Sequence, residues 1–175
     1  MLDDPESNTT LSSQDQTDDS ITIVDNKKVF DNGAFTLSVP ADWKCMEVNG
    51  EDGSSYSFQH PTLGEKCQIS LGITGSVYLY ERTEAEYLAY LSYCGYKDVK
   101  ITTFQKDIID GYGCTKVVFS YSLDNAEFVG IHYENTVVGF RLYDFGITYP
   151  ASEQKTFEPV FNSILDSIKF TPESP

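Results

Sequence analysis

Two histidines, four cysteines, one serine before a Val-Pro pair and a surplus of tyrosine are the residues of this 175-residue chain whose types could do chemistry. His60 and His132 are the only histidines. A zinc site built on them would need Cys or carboxylate ligands to reach four-coordination. His60 abuts Pro61 at a strand end and reads as a turn residue. His132 alternates with Phe128 and Gly130 along one face of its strand, either on the surface or as a satisfied core histidine; beside an acid in a cleft it would serve a hydrolase. Ser38 lacks the G-x-S-x-G elbow of an exposed nucleophile and faces away from Phe35 and Leu37, so it is not a catalytic residue. Gly111-Tyr112-Gly113 fits a hairpin turn rather than a phosphate loop, and Asp15-x-x-Asp18-Asp19 lacks the glycine and terminal Glu of a calcium loop. These residues call for no catalytic constellation, no cofactor and no metal.

Cys45, Cys67, Cys94 and Cys114 include no C-x-x-C, which leaves zinc clusters and thioredoxin chemistry unsupported. An even number permits two disulfides in three connectivities. Strand geometry argues against Cys45–Cys67, whose strands stand two spacings apart, roughly 9–10 Å against a bridging limit of about 7 Å. Cys94–Cys114 would span on the order of 30 Å along an intervening strand. The nested pairings remain open, and buried free thiols are the default expectation.

Twelve Tyr and eleven Phe are the stronger clue. Tyr78 and Tyr80 alternate on one face leading into a helix, Tyr90 and Tyr93 fall away from that helix's apolar stripe, and Tyr96 follows its end. With His132 these form the candidate binding surface, because exposed tyrosines offer large contact area at low entropic cost. The alternative is packing at the edge of the core.

The elements that must position these residues are legible from turns and periodicity. ITIVD (21–25) and KVF (28–30) flank an Asp25-Asn26 turn; 33–39 alternates Phe35, Leu37 and Val39 inward and stops at Pro40. WKCMEV (43–48), SYSFQH (55–60) and KCQISLGIT (66–74) form a meander, with Trp43 expected to anchor its strand under a helix. Thr83 and Glu86 make a capping box, Gly95 ends the helix, and Tyr87, Leu88, Leu91 and Cys94 form its inward stripe. Strands at 98–109, 114–122, 126–134 and 136–146 follow, with turns at Asp110-Gly111, Asp124-Asn125 and Glu134-Asn135 that would make Gly130 and Gly139 cross-strand neighbours. Pro159 predicts a split final helix: a first turn over 151–157, then a second helix from Pro159 presenting Phe161, Ile164, Leu165 and Ile168 inward.

Length fits one domain with a real core. Residues 1–20 carry six acids and no base and read as a disordered acidic linker; 21–170 form the single domain, and 171–175 a frayed C-terminus. Met1 leading straight into that acidic segment fits either a trimmed chain or a mature form whose export signal was removed; in the second case the membrane would be met only through a lost N-terminal anchor. A formal charge of −15 argues against nucleic acid.

The strand 33–39 running into "VPADWK", the meander, the mid-chain helix, the hairpins and the closing "FNSILDSIKF" (161–170) resemble the PsbP-like fold, above all the PsbP-related domains of secreted Gram-positive lipoproteins. The resemblance covers about residues 28–170. It implies an α+β fold: an antiparallel β-sheet of six to seven strands flanked by helices, an α/β/α sandwich. It also implies accessory or binding roles rather than chemistry, as in the photosynthetic member that serves assembly and ion retention. The resulting expectation is a non-catalytic, monomeric, extracytoplasmic module, cell-surface lipoprotein or secreted, with a protein or carbohydrate partner. The alternatives are a hydrolase of polysaccharide or cell-wall material and a structural accessory subunit of a membrane-associated complex.

Overall fold

A computed structural model describes residues 21–50, 53–75 and 80–172. Strand β1 (Ile21–Val24) turns through Asp25 and Asn26, both left-handed at φ 49° and 60°, into β2 (Lys27–Asp31). Asn and Asp tolerate that conformation, which two-residue hairpins of the native twist demand. β3 (Phe35–Pro40) pairs with β2 and, across its other edge, with the closing strand β11 (Lys169–Phe170), giving a four-stranded sheet in the order β1-β2-β3-β11. Phe35, Leu37 and Val39 are buried on one face of β3, as the alternation predicts.

The main sheet has seven antiparallel strands in the order β4-β5-β6-β10-β9-β8-β7. They are β4 (Lys44–Gly50), β5 (Gly53–His60), β6 (Gly64–Gly75), β7 (Lys97–Ile109), β8 (Tyr112–Leu123), β9 (Ala126–Val138) and β10 (Arg141–Pro150). Helix α1 (Glu84–Tyr93) lies between β6 and β7 in sequence, and helix α2 (Gln154–Ser167) follows β10 after a 3-10 turn at Ala151–Glu153.

Alternation along the strands separates two cores. On one face Phe58, Ile69, Phe145, Ile147 and Tyr149 meet β3 and α2. On the other Val117, Phe119, Tyr121 and Phe128 meet Tyr87 and Leu91 of α1. Trp43 packs edge-on against Phe161 of α2, centroids 5.5 Å apart, and so anchors the start of β4 as expected. The chain closes where the carboxylate of Asp110, in the β7–β8 turn, accepts the N–H of Phe170 at 2.8 Å and pairs with Lys169 at 2.8 Å.

Five expectations are corrected. The third hairpin does not turn at Glu134-Asn135: β9 runs on to Val138, and Gly139 and Phe140 make the turn. Asn135 is left-handed, φ 64°, because it occupies a bulge, where its N–H reaches the Asp144 carboxylate at 2.8 Å and the register slips between Tyr143 and Phe145. The same left-handed Asn that marks a turn marks a bulge. Gly130 and Gly139 are therefore not neighbours; Gly130 pairs with Phe119 and Thr148, and a Cβ there would lie 2.3 Å from the Phe119 ring. Nor is the last helix split. Pro159 sits inside a continuous α2, and the docking of Phe157 and Phe161 on either side of it offsets the one backbone hydrogen bond it removes. In α1 the buried stripe is Tyr87 and Leu91 with Tyr90 half-buried, whereas Leu88 and Cys94 are exposed, since the sheet meets the helix from the Tyr90 side. All four cysteines are free thiols; Cys67 and Cys114 are buried and Cys45 half-buried, but Cys94, beyond the helix end, departs from the expected burial.

Candidate functional site

Helix α1 starts at Thr83, whose hydroxyl accepts the Glu86 N–H while the Glu86 carboxylate accepts the Thr83 N–H at 2.8 Å, the predicted capping box. It ends at Gly95, φ 91°, a conformation that glycine adopts freely after a last helical turn. These ends fix which tyrosines face out. Tyr80 is 57% and Tyr93 90% exposed. Tyr90 is half-buried under the guanidinium of Arg82, 4.3 Å from its ring centroid, and the same guanidinium lies 5.4 Å from Tyr80. Tyr96 packs edge-on to Tyr121 at 4.8 Å and Phe119 at 5.4 Å, and belongs to the smaller core. Tyr78 lies outside the described residues.

His132 joins this group from below. Its ring is enclosed by Phe119, Tyr87 and Tyr96. Nδ1 lies 2.6 Å from the Tyr87 hydroxyl, which in turn donates to Glu134 Oε1 at 2.9 Å, and Glu134 Oε2 meets Arg82 at 3.3 Å. His132 and Glu134, two apart on β9, share the face that α1 covers. The charges settle the proton positions. A Glu134 carboxylate paired with Arg82 only accepts, and Tyr87 has one proton to give it, so His132 Nδ1–H donates to the Tyr87 oxygen and Nε2 carries the lone pair. Burial pushes His132 down from 6.5 to about 4 and holds it neutral. Burial raises Glu134, against the pull of Tyr87 and Arg82, and burial with the Glu134 charge raises Tyr87 well above the phenol range.

This chain of bonds ties α1 to the sheet. His132 does not meet an acid directly, because the Tyr87 hydroxyl stands between it and Glu134. An open groove of about 500 Å³ nearby is lined by Glu81, Lys106, Thr115 and Asn135, and His132 is not part of it. His60 sits in its turn as predicted, Nδ1 facing the N–H groups of Thr62 and Leu63. Ser38 donates its backbone N–H to Ser167 on α2. Among the described residues no group of three or more His, Cys, Asp or Glu could hold a metal ion, and no helix is long and apolar enough to cross a membrane. Arg82, Tyr87 and Glu134 were not singled out from sequence. Glu134 could have been, by its i, i+2 spacing to His132; Tyr87 was legible as an inward residue of the helix but not as a bridging hydroxyl, and Arg82 carries no signal beyond its place at the helix start.

No family model matches the chain, and no curated protein matches it in sequence. Solved structures do. The cyanobacterial PsbP protein CyanoP of Synechocystis aligns with a TM-score of 0.61 at 12% identity, covering 85% of this chain and 94% of that one. LpqN of Mycobacterium tuberculosis, involved in cell envelope biogenesis, aligns with a TM-score of 0.53 at 12% identity over 83% of this chain and 91% of that one. The immunity protein TplEi of Pseudomonas aeruginosa, solved with a peptide, aligns with a TM-score of 0.53 at 9% identity over 86% of this chain and 56% of that one. At such identities likeness speaks to architecture alone. The seven-stranded antiparallel sheet, the small second sheet and a helix on each side make the fold of this chain PsbP-like.

Proposed function

We propose that this domain is a non-catalytic extracytoplasmic binding module that meets a protein partner through the tyrosine face of α1. The observation that carries the reading is the exposure of Tyr80 and Tyr93 on either side of a fixed centre, the Arg82 guanidinium stacked on Tyr90 and ion-paired to Glu134. Tyrosines held at a rigid margin lose little freedom on binding, and they are over-represented among residues that dominate interface energetics. Exposed Glu84 and Glu86 on the same helix favour a partner with positive charge. The architectural likeness to an envelope-biogenesis protein and to an immunity protein solved with a peptide supports an interaction role outside the cytoplasm, with residues 1–20 as a tether and candidate contacts at Tyr78, Tyr80, Tyr90 and Tyr93, while Tyr96 and His132 support that face from beneath.

A photo-crosslinking amino acid placed at Tyr93 in the producing cell, with Glu158 on the exposed side of α2 as control, tests this. Adducts at Tyr93 and none at Glu158 are expected, and a Tyr80→Ala/Tyr93→Ala variant should bind the captured partner at least about tenfold more weakly. Equal adducts at both positions, or none, would dismiss the proposed surface.

A further inference from the structure

Helix α1 covers only the β7–β9 half of the main sheet, and the strand registers show what the other half presents. One cross-strand row runs from Val117 through His132, Gly146, Ser70 and Ser57 to Met46 at the β4 edge. The next runs from Phe119 through Gly130, Thr148, Gln68 and Gln59 to Lys44. Between His132 and β4 neither row holds a charge, although 22% of the chain is charged and the opposite edge strand, β7, displays Lys97, Lys100 and Lys106 to solvent. A wetted sheet face in so charged a protein ordinarily resembles β7. Here the two rows carry hydroxyls, amides and bare backbone, with Gln59 buried among them, and the charges of this face stand one row out on either side, at Asp144 of β10 and Lys66 of β6.

We infer that this outer face of β10, β6 and β5, bounded by His132, is a binding site for a neutral polyhydroxylated ligand, an oligosaccharide. The polar groups are already organised. Ser57 donates to the Gln68 carbonyl oxygen at 2.8 Å, and the Gln59 amide donates to that oxygen at 3.0 Å and to Ser57 at 3.2 Å. That arrangement holds the Gln68 oxygen inside the network and turns its amide nitrogen, a two-proton donor, away from it. Ser70 donates to the Gly146 carbonyl at 3.2 Å, which leaves its oxygen as an acceptor. The Glu134–Tyr87 chain puts the proton of His132 on Nδ1, so Nε2 is a second acceptor on the same row. Gly146 is the floor between them: a Cβ there would stand 2.9 Å from Ser70 Oγ and 3.7 Å from His132 Nε2 and fill the space. Sugar hydroxyls both donate and accept, so this mixture suits them. A neutral ligand also meets no repulsion from a chain of net charge −15, whereas a polyanion would. A protein partner would look for an apolar centre, which these rows lack.

The test is an NMR titration of the isotopically labelled protein with maltohexaose, cellohexaose and chitohexaose, each to about 10 mM, following the side-chain amides of Gln59 and Gln68 and the ring of His132. At least one oligosaccharide should shift these signals, saturably, while Tyr80 and Tyr93 stay still. Gln68→Glu keeps the oxygen that Ser57 and Gln59 need but replaces the outward donor with a charge, so it should fold normally and bind at least about tenfold more weakly. Gly146→Val, which fills the floor, should abolish binding and serves as the second variant. No shift at these residues with any of the three, or undiminished binding by Gln68→Glu, overturns the site. Shifts confined to Tyr80 and Tyr93 also overturn it, and leave the proposal for α1 standing.

Discussion

Tyr87 is 1% exposed, and its hydroxyl bridges the two polar side chains that β9 turns toward α1. A buried hydroxyl that satisfies both neighbours is worth more than either bond alone, since removing it would strand both. The cost of that arrangement surfaces on acidification. His132 is held at about 4 in the fold against an ordinary 6.5, so between those values the unfolded chain takes up a proton that the folded chain refuses. Stability therefore falls as pH drops through that window, by about 2 kcal/mol between about pH 7 and about pH 5 for this group alone. The raised Glu134 works in the opposite sense at the lower end, because the fold binds its proton more readily than the unfolded chain does. Urea unfolding at several pH values should show the decline, and a His132→Phe variant should flatten it; a parent and a variant with the same pH slope would show that His132 is not the group responsible.

At the scale of the element, Pro159 is the instructive case. It lies five residues past the first residue of α2, where its absent N–H would have met the carbonyl of Lys155. Pro159→Ala restores that bond and should stabilise the protein by about 1–2 kcal/mol, less than the full helix-interior penalty because the unfolded chain gains freedom too. A lower thermal midpoint for the variant would mean that the proline's fixed φ organises the Phe157–Phe161 docking. This residue also marks the limit of sequence reading. The capping box at Thr83, the Asp-Asn turns and the Phe35-Leu37-Val39 face are local rules written in adjacent residues, and the structure follows them. Pro159 and Asn135 obey local rules that tertiary contacts override or reuse: two buried phenylalanines in the first case, the Asp144 carboxylate in the second. The inward stripe of α1 depended on where the sheet lay, which helical periodicity does not contain. For the same reason Arg82 and Tyr87, which reach the His132–Glu134 pair of β9 only through folding, could not be grouped with it in advance.

For the whole molecule, the decisive fact is that a single sheet separates two cores of unequal size. The α2 side joins both sheets through a continuous set of buried aromatics, whereas the α1 side rests on a smaller cluster and the His132 bonds. Local opening free energy follows buried apolar contact, so α1 should open without the rest. Native-state hydrogen exchange is expected to show the amides of 88–93 exchanging through an opening cheaper than global unfolding, and those of β6 and β10 only through global unfolding. Equal opening energies on both sides would show one cooperative unit instead.

The asymmetry also gives the protein a built-in optical reporter. Trp43 is the only tryptophan, it is 3% exposed, and its ring rests against Phe161. Its emission is therefore tied to the docking of α2 and insulated by the sheet from events around α1. A red shift in fluorescence would register loss of the large core, while a ligand arriving on the far side would pass unseen by the indole.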